Sequence, residues 1–483
     1  MRGPGPEGGK TSMVWTFAEL RLRCMLLTGL PLAACSSLPV IVPDMALVRT
    51  PVQVEAANGR VLSPSQSHAL LDKRGLTGAQ SNHFERHLAL EQEVSGSPLI
   101  SGNAAVLLQD GPATYAAMFA AIEGARDHIN LETFILEDDE VGQRFAEVLL
   151  EKQRQGVQVN LIYDAVGSLS TPHVFFQRLK DAGIRVMQFN PVNPLDAKAG
   201  WDLNNRDHRK LLVVDGTTAF VGGINISAVY SGGSSRGRFG SSGSVATSQQ
   251  HAKDLPWRDT HVQVSGPVVA TLQKFFMETW AQQKGEPLAG RDYFPTLNVK
   301  GKEVVRAIAS SPEDPFSEFY ATLISAINAA QSEILLSNAY FIPDPQLKQA
   351  LVDAVSRGVD VKMVLPSATD SWLVFHAGRA HYDELLHGGV KLYERHDVLL
   401  HAKTAVIDGV WSTVGSTNLD WRSFLHNQEV NVLVLGSDFG ERMRAAFERD
   451  LAVSGEITLD EWQRRGMVVR MKELFGRMWE YWL

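Results

Sequence analysis

The sequence predicts an α/β protein made of two similar α/β sandwich lobes, related by pseudo-two-fold symmetry, with an active site between them. Three observations carry this. Short β-branched, apolar runs alternate with stretches of helical periodicity, the pattern of a sheet with substantial parallel pairing. The pattern runs from about Leu99 to Tyr230 and starts again after residue 300. A polar motif then occurs at the same point of each copy, which marks an internal duplication rather than a short solenoid period.

In the first copy, Ala113 to His128 has apolar residues at helical spacing, and the run from Ile129 to Ile135 reads as a buried strand. Val141 to Gln155 is helical again and stops at Gly156, and Val157 to Tyr163 is a strand. Phe175 to Ala182 forms a helix ended by Gly183, before a third strand from Ile184 to Phe189. The second copy repeats each step. Helix Phe316 to Ala330 leads to strand Ile334 to Ile342, helix Gln346 to Arg357 stops at Gly358, and strand Val359 to Leu365 follows. Helix His376 to Leu386, the pair Gly388-Gly389 and strand Val390 to Glu394 complete it.

Composition narrows the function. The 46 Lys and Arg against 54 Asp and Glu leave a formal charge of -8, which removes the long-range attraction that coats phosphate backbones, so broad nucleic-acid binding is disfavoured. Two cysteines in 483 residues exclude a disulfide scaffold, and a Cys-based zinc site is not expected. Both lie early in the chain. Arg21 and Arg23 precede an apolar run, Cys24 to Ala34, that is too short to span a bilayer and ends in small residues before Cys35. That order predicts a lipoprotein-type signal over residues 1–35, with Cys35 as the lipidated residue. An interfacial or signal-anchor segment is the alternative, because Leu38 to Val48 adds further apolar residues, and Met13 is a second candidate start. Residues 36–98, rich in Ser, Gly, Asn and Gln over much of their length, read as a linker. The lobes are assigned to residues 99–300 and 301–483.

The chemistry is concentrated in the repeated motif. His208-Arg209-Lys210 is followed by four apolar residues, Asp215, and then Gly222-Gly223-Ile224-Asn225. His401-Ala402-Lys403 is followed by four largely apolar residues, Asp408, and then Gly415-Ser416-Thr417-Asn418 at the same distances. Three fixed residues at fixed spacing recur by chance about once in 8,000 positions, so two copies with matching downstream Gly and Asn are not an accident. On a strand, a His and a Lys two apart share a face and can address one ligand. The small residues near Gly222 and Gly415 would let a backbone approach a ligand closely. Charge-assisted donors beside an imidazole suit a phosphoryl group. One half supplies a nucleophile or an acid, and two facing halves supply both.

These paired motifs resemble those of the phospholipase D superfamily, and within it the bacterial cardiolipin synthase branch, from about residue 100 to the C-terminus. Asn204-Asn205-Arg206-Asp207, Trp257-Arg258-Asp259-Thr260-His261, Ser337 to Pro343 and Asn418 to Ser423 match as well. The resemblance implies two-step displacement at phosphorus through a phosphohistidine, with neither metal nor other cofactor. His208 would be the nucleophile and His401 the acid and then the base, an assignment that follows family habit. Lys210, Lys403, Asn225 and Asn418 would hold phosphoryl oxygens, and Asp259 and Glu429 would orient the histidines through their other ring nitrogens. Asp215 and Asp408 belong to the motif as catalytic candidates, with bracing of loops as the alternative.

The implied activity is transfer of a phosphatidyl group from phosphatidylglycerol to a second phospholipid, giving cardiolipin, by a monomer associated with the membrane of the bacterial envelope. Rival readings are a hydrolase that releases phosphatidic acid, a nuclease of the same superfamily and a silent lipid-binding lipoprotein. Classical members carry two N-terminal transmembrane helices that have no counterpart in this sequence. His251-Ala252-Lys253 mimics the motif, but Arg258 stands where its Asp should be, and it ends a Gly/Ser-rich stretch, Ser231 to Ser248, that reads as an inserted loop. The tail from Trp462 to Leu483 mixes cations and aromatics, which suits either a membrane interface or packing on the second lobe.

Overall fold

The computed structural model describes residues 51–74, 81–193, 201–232 and 255–483. The predicted signal with Cys35, the motif mimic at 251–253 and most of the Gly/Ser stretch lie outside the described residues. In chain order the strands are β1 (Val54–Glu55), β2 (Leu99–Leu108), β3 (His128–Thr133), β4 (Gln158–Asp164), β5 (Arg185–Phe189), β6 (Arg206–Asp207), β7 (Lys210–Val214), β8 (Thr218–Gly222), β9 (Trp257–Arg258) and β10 (His261–Ser265). They continue with β11 (Glu303–Ser310), β12 (Glu333–Asn338), β13 (Asp360–Pro366), β14 (Lys391–Arg395), β15 (Leu399–Leu400), β16 (Lys403–Ile407), β17 (Trp411–Gly415), β18 (Asn427–Leu435) and β19 (Ser454–Ile457).

The pairings reproduce the duplication strand for strand. In the first half the order is β2-β10-β8-β7-β3-β4-β5, antiparallel up to β3 and parallel from β3 to β5. In the second it is β11-β18-β17-β16-β12-β13-β14, with the same change to parallel at β12, and β19 added antiparallel to β14. The halves are not two separate sheets, as the sequence suggested. β2 pairs with β10 through Ala104 to Leu108 and with β11 through Ile100 and Asn103, so one strand belongs to both.

The helices follow their sequence signals. Asp110, Asp139 and Asp344 cap helices Gly111–Gly124, Glu140–Arg154 and Pro345–Ser356 by accepting hydrogen bonds from first-turn amides. Several expected elements differ: the helix expected to run to His128 ends at Gly124, because His128 already opens β3, and the strand expected to run to Ile342 ends at Asn338. Strand β3 ends at Thr133 because the Ile135 amide leaves the ladder to bond the Asn225 side chain at 3.1 Å. The helix expected from His376 to Leu386 is broken into Trp372–Arg379 and Tyr382–His387.

Residues 36–98 were expected to be a linker, and the described part is instead built into the fold. β1 pairs parallel with β2, and helix Ser81–Ser95 packs against helix Glu318–Ala329 of the second half. Glu91, fully buried, accepts from Arg306 Nη1 at 2.8 Å and from the Trp411 indole at 2.9 Å. The segment buries Val54, Leu71 and Leu88 as well, but its polar composition concealed this, since a buried ionic partner such as Glu91 adds nothing to an apolar period.

The main core lies where the halves meet. Helix Val269–Gln282 contributes Leu272, Phe276 and Trp280, and helix Ser437–Leu451, its counterpart, contributes Phe439, Met443 and Phe447 to the same cluster. Each large side chain of this kind contributes about 1.5–3 kcal/mol on burial, which fixes the two motif strands against each other.

Candidate active site

The sheet register identifies the counterparts. His261 lies opposite Gly222, and Asn431 lies opposite Gly415. Two residues earlier in the chain stand Asp259, just before β10, and Glu429, within β18, so these acids occupy equivalent places in the two halves. Each reaches across to the other half. Glu429 accepts from His208 Nδ1 at 3.0 Å, and Asp259 accepts from His401 Nδ1 at 2.6 Å.

Short parallel pairings set this exchange. β6, just before His208, pairs with β18 at Asn427 and Gln428, and β15, just before His401, pairs with β9. The His208 amide donates to the Gln428 carbonyl at 2.9 Å and the His401 amide to the Arg258 carbonyl at 2.7 Å. Each histidine backbone is therefore bonded to the residue immediately before the acid that receives its side chain. The lysines behave alike: Lys210 Nζ donates to the His208 carbonyl and Lys403 Nζ to the His401 carbonyl, both at 2.6 Å. Lys403 Nζ also lies 3.0 Å from each ring nitrogen of His401. All four side chains are buried, with His208 7% and His401 3% exposed.

The sequence matches the family described as Cardiolipin synthase, PLD-like domain over residues 118–230 and 323–451. A cardiolipin synthase of Geobacillus kaustophilus is 34% identical over 399 residues, covering 82% of this chain and 76% of that protein. Cardiolipin synthase A of Pseudomonas putida is 35% identical over 395 residues, covering 80% of this chain and 76% of its own length. The chain belongs to this PLD-like family. A solved phosphatidylserine synthase of Haemophilus influenzae shares the fold, with a TM-score of 0.59 and 13% identity over 84% of this chain and 100% of that one.

In this PLD-like site the electrostatics of the two halves differ. Burial, followed by the nearby charges of Lys210 and Lys403, holds the His208 imidazole well below its ordinary pKa. Burial and Lys403 lower His401 to about 4, with Asp259 opposing them. The lysine of each half thus acts on the opposite histidine as well as its own. Burial lowers Lys210 to about 7 and Lys403 to about 8, and it raises Glu429 to about 7. Asp259 moves the other way: burial raises it, but Lys403 and then His401 outweigh that and hold it below the usual carboxylate range.

The remaining expected residues divide. Asp215 and Asp408 stand beyond the far ends of β7 and β16, away from the His and Lys ends. Asp215 accepts from the amides of Arg126, Asp127 and His128 at 2.8–3.0 Å. Asp408 accepts from the amides of Gln331, Ser332 and Glu333. Both adopt positive φ, 49° and 52°, so they brace turns, and the geometry gives them no contact with the reacting groups. Asn225 is also engaged, accepting from the Ile135 amide and donating to the Tyr230 hydroxyl at 3.0 Å. The Asn418 amide oxygen is buried without a partner.

The small residues were expected to let the protein backbone approach a ligand, and the space they leave is filled by protein atoms. A Cβ on Gly223 would meet the Asp259 carboxylate within 2.4 Å, and one on Gly415 would strike Asn431. The missing side chain at 223 admits the acid, and at the equivalent position the Ser416 hydroxyl donates to Glu429 instead. No cluster of three or more His, Cys, Asp or Glu side chains fit to hold a metal occurs among the described residues. Sequence reasoning passed over an aromatic wall. Trp257 and Tyr340 pack on His401 at 4.9 and 5.9 Å, Phe134 packs on His208 at 5.0 Å, and the Tyr230 hydroxyl lies 3.4 Å from His401 Nδ1. Trp257 and Tyr340 both sit inside motif stretches, which was the available signal.

Proposed function

We propose that this chain transfers the phosphatidyl group of phosphatidylglycerol to the free hydroxyl of a second phospholipid, forming cardiolipin through a phosphohistidine on His208. The observation that carries this reading is the reciprocal pairing of each buried histidine with the carboxylate of the opposite half. Membership of a family whose named relatives are cardiolipin synthases supports the choice of substrate.

In the first step Nε2 of His208 attacks phosphorus, the bond to the glycerol oxygen breaks, and that oxygen takes the proton from Nε2 of protonated His401. Glycerol leaves. In the second step the acceptor hydroxyl gives its proton to His401 as its oxygen attacks phosphorus, and the P–N bond breaks to regenerate His208. Lys210 and Lys403 offset the charge on the non-bridging oxygens, more strongly than in water because the site is buried. Asn418, whose unpartnered amide oxygen is an acceptor, can serve that task only through its NH2, whereas Asn225 acts by positioning Tyr230. The substrates are bilayer lipids, so the reaction is placed at the membrane of a bacterial envelope, with Cys35 as lipid anchor. No helix among the described residues is long and apolar enough to cross a membrane.

The test is to incubate purified protein with labelled phosphatidylglycerol in detergent micelles and resolve the lipids. Cardiolipin with an equal amount of glycerol is the expected result, phosphatidic acid alone would make water the acceptor, and absence of lipid turnover would overturn the reading. His208→Ala should abolish both turnover and the trapped phosphoenzyme, whereas His401→Ala should leave slowly formed phosphoenzyme. Equal trapping in both variants would contradict the assigned roles.

A further inference from the structure

The C-terminal helix Met467–Arg477 turns its apolar face away from the protein. At about 100° per residue, Val469, Glu473 and Gly476 point inward. Gly476 lies directly against the Ala377 backbone, and Glu473 receives Arg465 at 2.9 Å. On the opposite side Met467, Met471, Leu474, Phe475, Met478 and Trp479 make one continuous strip, 45–77% exposed. Single exposed apolar residues need no explanation, but a contiguous strip on a soluble surface marks an interaction site. Arg470 and Arg477 border it on one edge and Lys472 on the other, all exposed. The tail from Trp462 has five cationic side chains against two acidic ones, in a chain of net charge -8.

The strip also leads to the histidines. Phe475 packs on Trp372 at 6.2 Å, and helix Trp372–Arg379 lines a cleft with Tyr340, whose ring lies 5.9 Å from His401. Past the helix, Tyr481 packs on Trp421 at 5.8 Å, and the Arg422 amide donates to the Leu483 carbonyl at 3.3 Å. The Arg422 guanidinium in turn holds Asn204, four residues before His208.

We propose that this strip is the surface by which the protein docks on an anionic phospholipid bilayer, with the helix lying in the headgroup plane beside the site. An apolar strip with cations along both edges fits that plane: the side chains enter the acyl boundary while the cations meet phosphates. A second copy of the chain fits worse, because a two-fold contact through the strip would bring cationic edges together. Placing the strip beside a lipid-processing centre rests on the reading under Proposed function, whereas the docking itself does not require it.

The test uses the full chain with Cys24 and Cys35 changed to Ser and an environment-sensitive fluorophore on Met471→Cys. On vesicles of mixed phosphatidylglycerol and phosphatidylcholine, the emission should shift to the blue and be quenched by brominated acyl chains. Arg470→Gln with Arg477→Gln should weaken vesicle binding at low salt about 25-fold, at about fivefold per cation, while turnover of monomeric short-chain phosphatidylglycerol stays within about twofold. A label that remains in water on vesicle-bound protein overturns the proposal, as does one shielded without vesicles in a sedimenting dimer. Loss of short-chain turnover in the unsubstituted chain would instead strike at the catalytic reading, leaving the docking result intact.

Discussion

Asp259→Asn is the perturbation that most directly tests how the halves cooperate. One Asp259 oxygen accepts from the Thr260 amide and the other from His401 Nδ1, both at 2.6 Å. An Asn cannot reproduce both contacts. If its oxygen keeps Thr260, its NH2 faces Nδ1 and forces the proton of the neutral ring onto Nε2, the wrong tautomer for a base. If its oxygen faces Nδ1, its NH2 opposes the Thr260 amide. Either way a hydrogen bond to a charged group is lost, worth about 1.5–3 kcal/mol, so steady-state cardiolipin formation should fall about 10- to 150-fold. The charge and hydrogen bond of Asp259 both favour protonated His401, so the first step suffers when the leaving alcohol needs a proton. A phosphatidyl ester of p-nitrophenol does not need one. With it, Asp259→Asn should release one equivalent of nitrophenolate in a burst and then turn over slowly. Steady-state activity within about threefold of the parent, or a lost burst in a protein with unchanged circular dichroism, would refute the reasoning.

Glu429→Gln should slow the burst itself, by about tenfold or more, because it removes the partner of the nucleophile, and rapid-quench measurement of phosphoenzyme checks this. The ratio kcat/KM should fall as pH rises through about 7 to 8, since Lys210 and Lys403 have lowered pKa values and hold their charge only below them. Lys403→Arg should remove the upper of the two titrations, making the fall less steep while it still begins near 7, as a pH profile would show. Asp408→Ala should leave kcat near the parent value at low temperature but cost about 1–3 kcal/mol of stability, since the partly buried and exposed amides of residues 331–333 lose their acceptor and Ala must hold a positive φ. Thermal denaturation would show it as a drop of several degrees. Glu91→Ala should destabilise by about 3–5 kcal/mol through the uncompensated Arg306 in the core, as denaturant titration would measure.

Local and repeated features were legible in the sequence, and long-range exchange was not. Strand and helix alternation located the elements around β3 to β5 and β12 to β14 because each obeys its own period and ends at a Gly that adopts positive φ, as at Gly156 and Gly358. The His and Lys pairs were visible because they repeat. What stayed hidden was reach. β2 pairs with both β10 and β11, Glu91 serves Arg306 and Trp411, and Gly223 makes space for Asp259, all contacts between residues far apart in sequence. A motif Asp and a catalytic Asp also look alike in sequence. Asp215 and Asp408 show their task only through the backbone amides around them.

The near-symmetry of the motifs leaves open which histidine attacks phosphorus, and we propose that the acids break it. Asp259 stays ionised, because Lys403 and His401 overcome its burial. Burial raises Glu429 to about 7, against the charge of Lys210 and the hydrogen bonds from Ser416 and Asn427. Burial and the nearby lysines hold both imidazoles below their ordinary pKa. A bound phosphodiester anion raises both, and the ring with a permanent carboxylate on its far nitrogen gains the proton first. That ring is His401. His208, beside the carboxyl group whose pKa burial raises, would then keep its Nε2 lone pair for phosphorus. Exchanging the two acids, with Asp259→Glu and Glu429→Asp in one chain, should therefore preserve the roles only if the surrounding lysine and serine set the two pKa values. Trapping phosphohistidine in the exchanged chain and mapping it to residue 208 or 401 decides whether the acid or its surroundings breaks the symmetry.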